Sequence, residues 1–188
     1  SIGQDFIITN DTKMLDAASH AVFPGVGAAG EAMAYLKDKK LDTWLKHCFQ
    51  SGKPILGICL GTQIILDRSE ENDTECIGLV AGVTKRFPDN LTSAGRVLKI
   101  PHMGWNSVAL KHHHPLFAGV PKEAEFYFVH SYYPSPADPS AVLGTTDYGM
   151  TFCSILTMRN LVAVQFHPEK SGRPGLQLLK NFCAWEGK

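Results

Sequence analysis

No charge of either sign dominates this chain: Lys plus Arg and Asp plus Glu are 18 each, so the formal net charge is zero. Such a balance supplies no electrostatic footprint for nucleic acid or an anionic membrane, and no basic run of the needed length occurs. No apolar run approaches membrane-spanning length, and the opening residues carry no signal-peptide pattern. The five cysteines, at positions 48, 59, 76, 153 and 183, form no regular spacing and no CxxC pair. That odd set excludes a disulfide framework and leads to the expectation of a reducing cytoplasm. Nucleotide signatures are missing too. Pro24-Gly25-Val26-Gly27 lacks the length and lysine of a P-loop, and no GxGxxG follows. His112-His113-His114 reads as a solvated loop, because three consecutive side chains do not converge on one tetrahedral ion. No cofactor and no metal is expected.

What is present is a chain of 188 residues, 44% apolar and 19% charged, which fits one domain with a sizeable core. Phe6-Ile7-Ile8 and Ser19–Phe23 are short strand candidates. Residues 28–50 read as helix with an apolar face of Ala32, Tyr35, Leu36, Leu41, Leu45 and Phe49, which the polar stretch at 37–40 breaks in two. Pro54–Ile58 is a buried strand and Thr62–Arg68 continues as helix. This βαβ rhythm predicts a three-layer α/β fold with a mostly parallel central sheet. Short strands at Leu79–Phe87, Arg96–Ile100, Phe126–Val129, Ala141–Thr145 and Phe152–Thr157 are expected as antiparallel additions. Leu161–Phe166 returns to the central layer. Gly175–Trp185 closes as a helix burying Leu176, Leu179, Phe182 and Cys183.

The chemistry concentrates at two strand ends. Gly57-Ile58-Cys59-Leu60-Gly61 sets a cysteine between glycines after an apolar run, which suits a sharp strand-to-helix turn. It predicts an exposed sulfur at a helix N-terminus, where unpaired amides favour thiolate. A structural turn is the alternative. The run Leu161–Phe166 delivers His167 and, two residues on, Glu169, which in an extended segment point to the same side. A nucleophile, a base and a carboxylate that orients the base are what covalent acyl transfer requires. Taken alone, His-Pro-Glu is equally a surface turn. Active sites in open α/β sheets lie beyond the carboxyl ends of strands, where both motifs fall. Gly25 and Gly27 present backbone amides suited to an oxyanion site, or simply make a turn. His102 and His130 belong to the core or to an interface.

Gly57-Ile58-Cys59-Leu60-Gly61-Thr62-Gln63 and Gln165-Phe166-His167-Pro168-Glu169 resemble the two signatures of the class I (triad-type) glutamine amidotransferases, whose fold is flavodoxin-like. Pro24–Gly27, Pro101-His102-Met103-Gly104-Trp105-Asn106, Tyr127–Tyr132 and Glu169-Lys170-Ser171-Gly172 narrow the resemblance to the glutaminase subunits of imidazole glycerol phosphate synthases. The resemblance implies hydrolysis of L-glutamine by Cys59, His167 and Glu169. The Leu60 amide would be one oxyanion donor, and the Val26–Gly27 loop would supply the other after a peptide reorientation linked to the partner. Gly25, Gln63 and the backbone of His130, Ser131 and Tyr132 would hold the amino-acid end of glutamine. Ammonia would pass to a separate (β/α)8-barrel cyclase in a heterodimer, with the loop Pro101–Asn106, above all Trp105 and Asn106, and Lys170 at the interface. Trp105 in the core is the alternative.

Members of this family usually open with a strand, a loop and a helix before anything like Phe6-Ile7-Ile8. Roughly 25 residues of that pattern are missing, enough for one βα unit. The expectation is therefore a single domain over 1–188 that is N-terminally incomplete. Three other readings stay open. They are a glutaminase feeding another synthase, a cysteine hydrolase or peptidase on a similar sheet, and a truncated non-catalytic partner subunit.

Overall fold

A computed structural model describes residues 3–188, so the expected domain start at residue 1 lies outside the described residues. Helix α1 (Thr12–Ala17) precedes strand β1 (Ala21–Gly25). Helices α2 (Ala29–Asp38) and α3 (Leu41–Ser51) then cross to β2 (Ile55–Cys59), and α4 (Leu60–Ile64) starts at the next residue. The predicted break in the long helix is real: Lys40 sits in the left-handed region at φ 58° and ends the α2 register. Phe6, Ile7 and Ile8, expected as a strand, lie in irregular exposed chain, since three apolar residues with no partner strand have no ladder to join.

The middle of the chain is β-rich. It contains β3 (Arg68–Ser69), β4 (Thr74–Glu75), β5 (Gly82–Arg86), β6 (Thr92–Ser93), β7 (Arg96–Val97), β8 (His102–Ser107) and β9 (Ala109–Leu110). Then follow β10 (Glu125–His130), β11 (Tyr132–Pro136), β12 (Val142–Asp147), β13 (Thr151–Met158), β14 (Leu161–Val164) and the closing helix α5 (Gly172–Ala184). The helix expected over Thr62–Arg68 ends at Ile64, with Arg68 in β3, and the strand expected over Arg96–Ile100 covers only Arg96–Val97. Two further segments also depart from expectation. The stretch Pro101–Asn106, read as a loop, forms most of β8 and pairs antiparallel with β10. Strand β11 was hidden by Pro134 and Pro136. It is the end strand of a four-stranded sheet, where a missing backbone N–H leaves no ladder bond unmade.

The six-stranded central sheet runs β1-β2-β14-β13-β12-β9. Its β1–β2 and β2–β14 pairings are parallel, but β14–β13, β13–β12 and β12–β9 are antiparallel. The sheet is thus mostly antiparallel, which corrects the expectation of a mostly parallel one. Connection length is the reason. Parallel neighbours need a crossover, as α2 and α3 provide between β1 and β2, whereas only Arg159 and Asn160 join β13 to β14. A two-residue link returns the chain antiparallel, and Arg159 adopts φ 55° to make it.

Alternation along the sheet feeds two cores. Ile55, Leu161, Ala163 and Leu156 pack on one face with Met33, Leu36 and Leu45 of the first helices. Leu56, Val162, Val164 and Ile155 pack on the other with Phe126 and Phe128 of β10 and with Leu178 and Phe182 of α5. Every residue of β2 is buried, as a strand covered on both faces should be. Helix α5 buries Phe182 of the predicted stripe and packs Leu179 partly against the core, but its other buried residues are Gly175 and Leu178, and Leu176 is exposed.

Candidate active site

Cys59 closes β2 and α4 begins directly after it. The turn is tight enough to hold Cys59 at φ 54° and ψ −109°, a conformation that costs a non-glycine residue about 1–3 kcal/mol. Its glycine neighbours permit the approach of the surrounding backbone. A Cβ on Gly57 would stand 2.9 Å from that of Ala163 on β14, and one on Gly61 would overlap the carbonyl oxygen of Phe23 on β1. The elbow is therefore wedged between both parallel neighbours of β2.

The thiol is buried rather than exposed. Burial pushes Cys59 up to about 11, against the Leu60 amide, which pulls it down; Glu169 adds to the rise and Lys170 offsets it. The expected resting thiolate is not what this geometry favours, because α4 spans only Leu60–Ile64 and its field does not outweigh desolvation.

His167 follows β14 on the adjacent strand end. Its Nδ1 lies 2.7 Å from Glu169 Oε1, while Nε2 is buried without a hydrogen-bond partner. The two residues meet through a 3-10 turn (Pro168–Lys170) rather than along an extended segment. The His167 N–H donates to Tyr127 O at 2.9 Å and its carbonyl accepts from Ser171 Oγ at 2.6 Å. With Nδ1 donating to the carboxylate, Nε2 is the bare, basic nitrogen.

A cavity of about 360 Å³ joins these groups, lined by Cys59, Leu60, Val26, Gly27, Gln63 and His167. His130, Ser131, Tyr132, Glu71 and Lys170 also line it. Gln63 Nε2 donates to Tyr132 O at 2.9 Å and to Gln165 Oε1 at 3.1 Å. Val26 is largely exposed and Gly27 adopts φ 92°, so the loop after β1 stands free beside the thiol. Gly25 sits beneath that loop with a notional Cβ 3.0 Å from Leu60 Cβ.

The residue profile of the class I glutamine amidotransferases matches residues 5–185. The chain belongs to that family. It is 52% identical to imidazole glycerol phosphate synthase subunit HisH of Desulfovibrio desulfuricans, over 96% of this chain and 83% of that protein. It is 46% identical to the HisH subunit of Dehalococcoides mccartyi, over 97% and 86% of the two chains. Likeness to solved structures is one of fold. PurLQS from Thermotoga maritima superposes with a TM-score of 0.66 at 16% identity, covering 90% of this chain and 80% of that one.

Three residues that line this amidotransferase cavity, Glu71, Pro101 and Val129, were not read from the sequence as cavity residues, and neither was Gln165, which contacts Cys59 without lining the cavity. Glu71 accepts from the Ala29 amide at 2.6 Å and lines the cavity. Nothing local marks it, since it lies in an irregular acidic stretch after α4. Gln165 is fully buried, with Nε2 3.9 Å from Cys59 Sγ, and alternation along the final strand segment was the available signal. Trp105 and Asn106 lie away from the cavity. Trp105 is half-exposed on β8 and meets the Tyr127 ring edge-on at 5.9 Å, while Lys170 Nζ stands 5.9 Å over the same ring. Asn106 turns inward and donates to Asp147 O at 2.8 Å. His114 is buried, accepting from the Leu116 amide, whereas His112 and His113 are exposed. Among the described residues no group of His, Cys, Asp and Glu side chains has the arrangement of a metal site, and no helix is long and apolar enough to cross a membrane.

Proposed function

We propose that this amidotransferase hydrolyses L-glutamine to glutamate and ammonia through a Cys59 thioester, and that the ammonia feeds imidazole glycerol phosphate synthesis in histidine formation. The observation that carries the residue roles is the unpartnered Nε2 of His167 on the cavity that also holds Cys59. Nε2 takes the thiol proton as sulfur attacks the carboxamide carbon. The resting thiol is neutral, so proton transfer and attack go together. Glu169 holds the tautomer and stabilises imidazolium. Carbonyl electrons move to oxygen, which the Leu60 amide and an amide of the Val26–Gly27 loop receive. Collapse expels ammonia with the proton returned by His167. Water then attacks the thioester, gives its proton to Nε2, and releases glutamate and free thiol.

Gln63, the backbone of His130–Tyr132 and the Glu71 carboxylate receive the amino-acid end, with Glu71 opposite the ammonium. A (β/α)8-barrel cyclase is the proposed ammonia acceptor in a heterodimer, docking over Trp105 and Lys170, whereas Asn106, expected beside them, is turned inward by its bond to Asp147 O. The chain forms one domain and works in a reducing cytoplasm, which suits its five free thiols. Glutamate release with and without a liganded barrel cyclase tests the reading. Strong stimulation and total loss in Cys59→Ala are expected. Activity surviving Cys59→Ala refutes the nucleophile, and Trp105→Ala leaving cyclase affinity unchanged refutes the docking surface.

A further inference from the structure

Strands β8 and β10 set His102 directly opposite His130. Both rings are buried, in a box made by Phe87, Phe128, Tyr148 and Phe152. Two imidazoles in apolar surroundings are costly unless their nitrogens are paired, and here all four ring nitrogens have partners. The donor direction of each bond follows from its fixed end. Tyr132 O only accepts, so His130 Nδ1 donates to it at 2.8 Å and His130 Nε2 is the acceptor of a neutral ring. His102 Nδ1 therefore donates to His130 Nε2 at 3.0 Å. That leaves His102 Nε2 to accept from Asn106 Nδ2 at 3.3 Å, and Asn106 Nδ2 also donates to Asp147 O at 2.8 Å. The Asn106 amide is itself oriented, because its Oδ1 accepts from Ser107 N at 2.9 Å.

The chain of donors thus runs one way, from Asn106 through His102 and His130 to the Tyr132 carbonyl. Gln63 Nε2 meets the same oxygen from the cavity side, and Phe87 N–H holds the neighbouring Ser131 carbonyl at 3.0 Å. Both peptide planes of the Ser131–Tyr132 wall are tied down. A pair of histidines serving packing alone needs neither a shared tautomer nor an end point on the cavity.

We infer that His102 and Asn106 are positioning residues for glutamine binding, acting through His130 on the Tyr132 carbonyl and so on the cavity wall. The inference rests on the reading of that cavity as the glutamine site. Neither side chain touches the substrate. Their effect belongs in KM, because the wall holds the amino-acid end and not the reacting carbon.

The test compares His102→Leu, His102→Asn and Phe152→Leu in the chain complexed with its barrel cyclase, following glutaminase kcat and KM. Leucine deletes both bonds of His102, whereas asparagine keeps a donor where Nδ1 stood. Phe152→Leu loosens the same box without breaking the chain. The expected result is a KM raised about tenfold or more by His102→Leu with kcat within about twofold, recovery to within about threefold in His102→Asn, and wild-type KM in Phe152→Leu. Equal KM changes in His102→Leu and Phe152→Leu, or no rescue by asparagine, overturn the inference while an active wild type leaves the glutaminase reading intact. A wild type without glutaminase activity overturns both. Should His102→Leu fail to fold, two-bond 1H–15N correlations of the wild-type histidines decide the matter. Both rings are expected as the Nδ1–H tautomer, and an Nε2–H form of either one overturns the chain.

Discussion

Acidification from pH 7 to pH 5 should remove a large part of this protein's stability, and three buried histidines are the cause. Burial pushes His102 and His114 down to about 4 and His130 down to about 3. His112 and His113 add to the depression of His114, and His102 and His167 to that of His130, although the Tyr132 carbonyl opposes it there. Unfolded histidines take up a proton near pH 6.5, so below that pH the unfolded chain binds more protons than the folded one and stability falls. Each ring contributes a slope of about 1.4 kcal/mol per pH unit once the pH is well below 6.5. Integrated from pH 7 to pH 5, that is roughly 2 kcal/mol per ring and about 6 kcal/mol for three, against a total of about 5–15 kcal/mol for an ordinary domain. Urea unfolding at constant ionic strength between pH 7 and pH 5 measures it, in a window above the bulk of carboxylate titration. The variant His114→Asn keeps an acceptor for the Leu116 amide and should make the slope shallower by about 1.4 kcal/mol per pH unit. A stability that stays flat from pH 6.5 to pH 5, or an unchanged slope in His114→Asn, refutes the reasoning.

Three shorter predictions concern the site. Cys59→Gly should be more stable than Cys59→Ala by about 1 kcal/mol, the reverse of the usual order, because only glycine relieves the backbone at φ 54°. Paired thermal melts check this, and an equal or lower melting temperature for the glycine variant removes strain from the account. Gly61→Ala should give little folded protein, since its Cβ would meet the Phe23 carbonyl, which is backbone and cannot step aside. Normal yield and melting behaviour would contradict that packing. Glu71→Gln keeps an oxygen for the Ala29 amide but loses the charge at the cavity lining. It should raise KM for glutamine about tenfold or more with kcat little changed, and unaltered KM would exclude an ammonium contact.

The motifs proposed as catalytic were legible because each is local. Glycine flanks at 57 and 61 announce a turn that other residues do not make, and His167 and Glu169 are separated by a single residue. The mainly antiparallel sheet was not legible from the same kind of signal. The opening βαβ rhythm covers only β1 and β2, while the pairing of β12, β13 and β14 follows from two short links whose geometry composition does not show. The segment Pro101–Asn106 looked like a loop because proline and glycine punctuate it, yet pairing with β10 overrides local propensity. Glu71 and the tie of Asn106 to Tyr132 through two histidines join positions far apart in the chain, which periodicity cannot connect.

The sequence by itself therefore carried the family and the three residues proposed as nucleophile, base and orienting carboxylate, since those depend on residue type and short spacing. Tertiary structure alone decided that the thiol is buried, where desolvation pushes its pKa up, that the sheet is mainly antiparallel, and which residues share the cavity. Desolvation, strand pairing and cavity shape are set by atoms brought together from distant parts of the chain, and no local pattern encodes them.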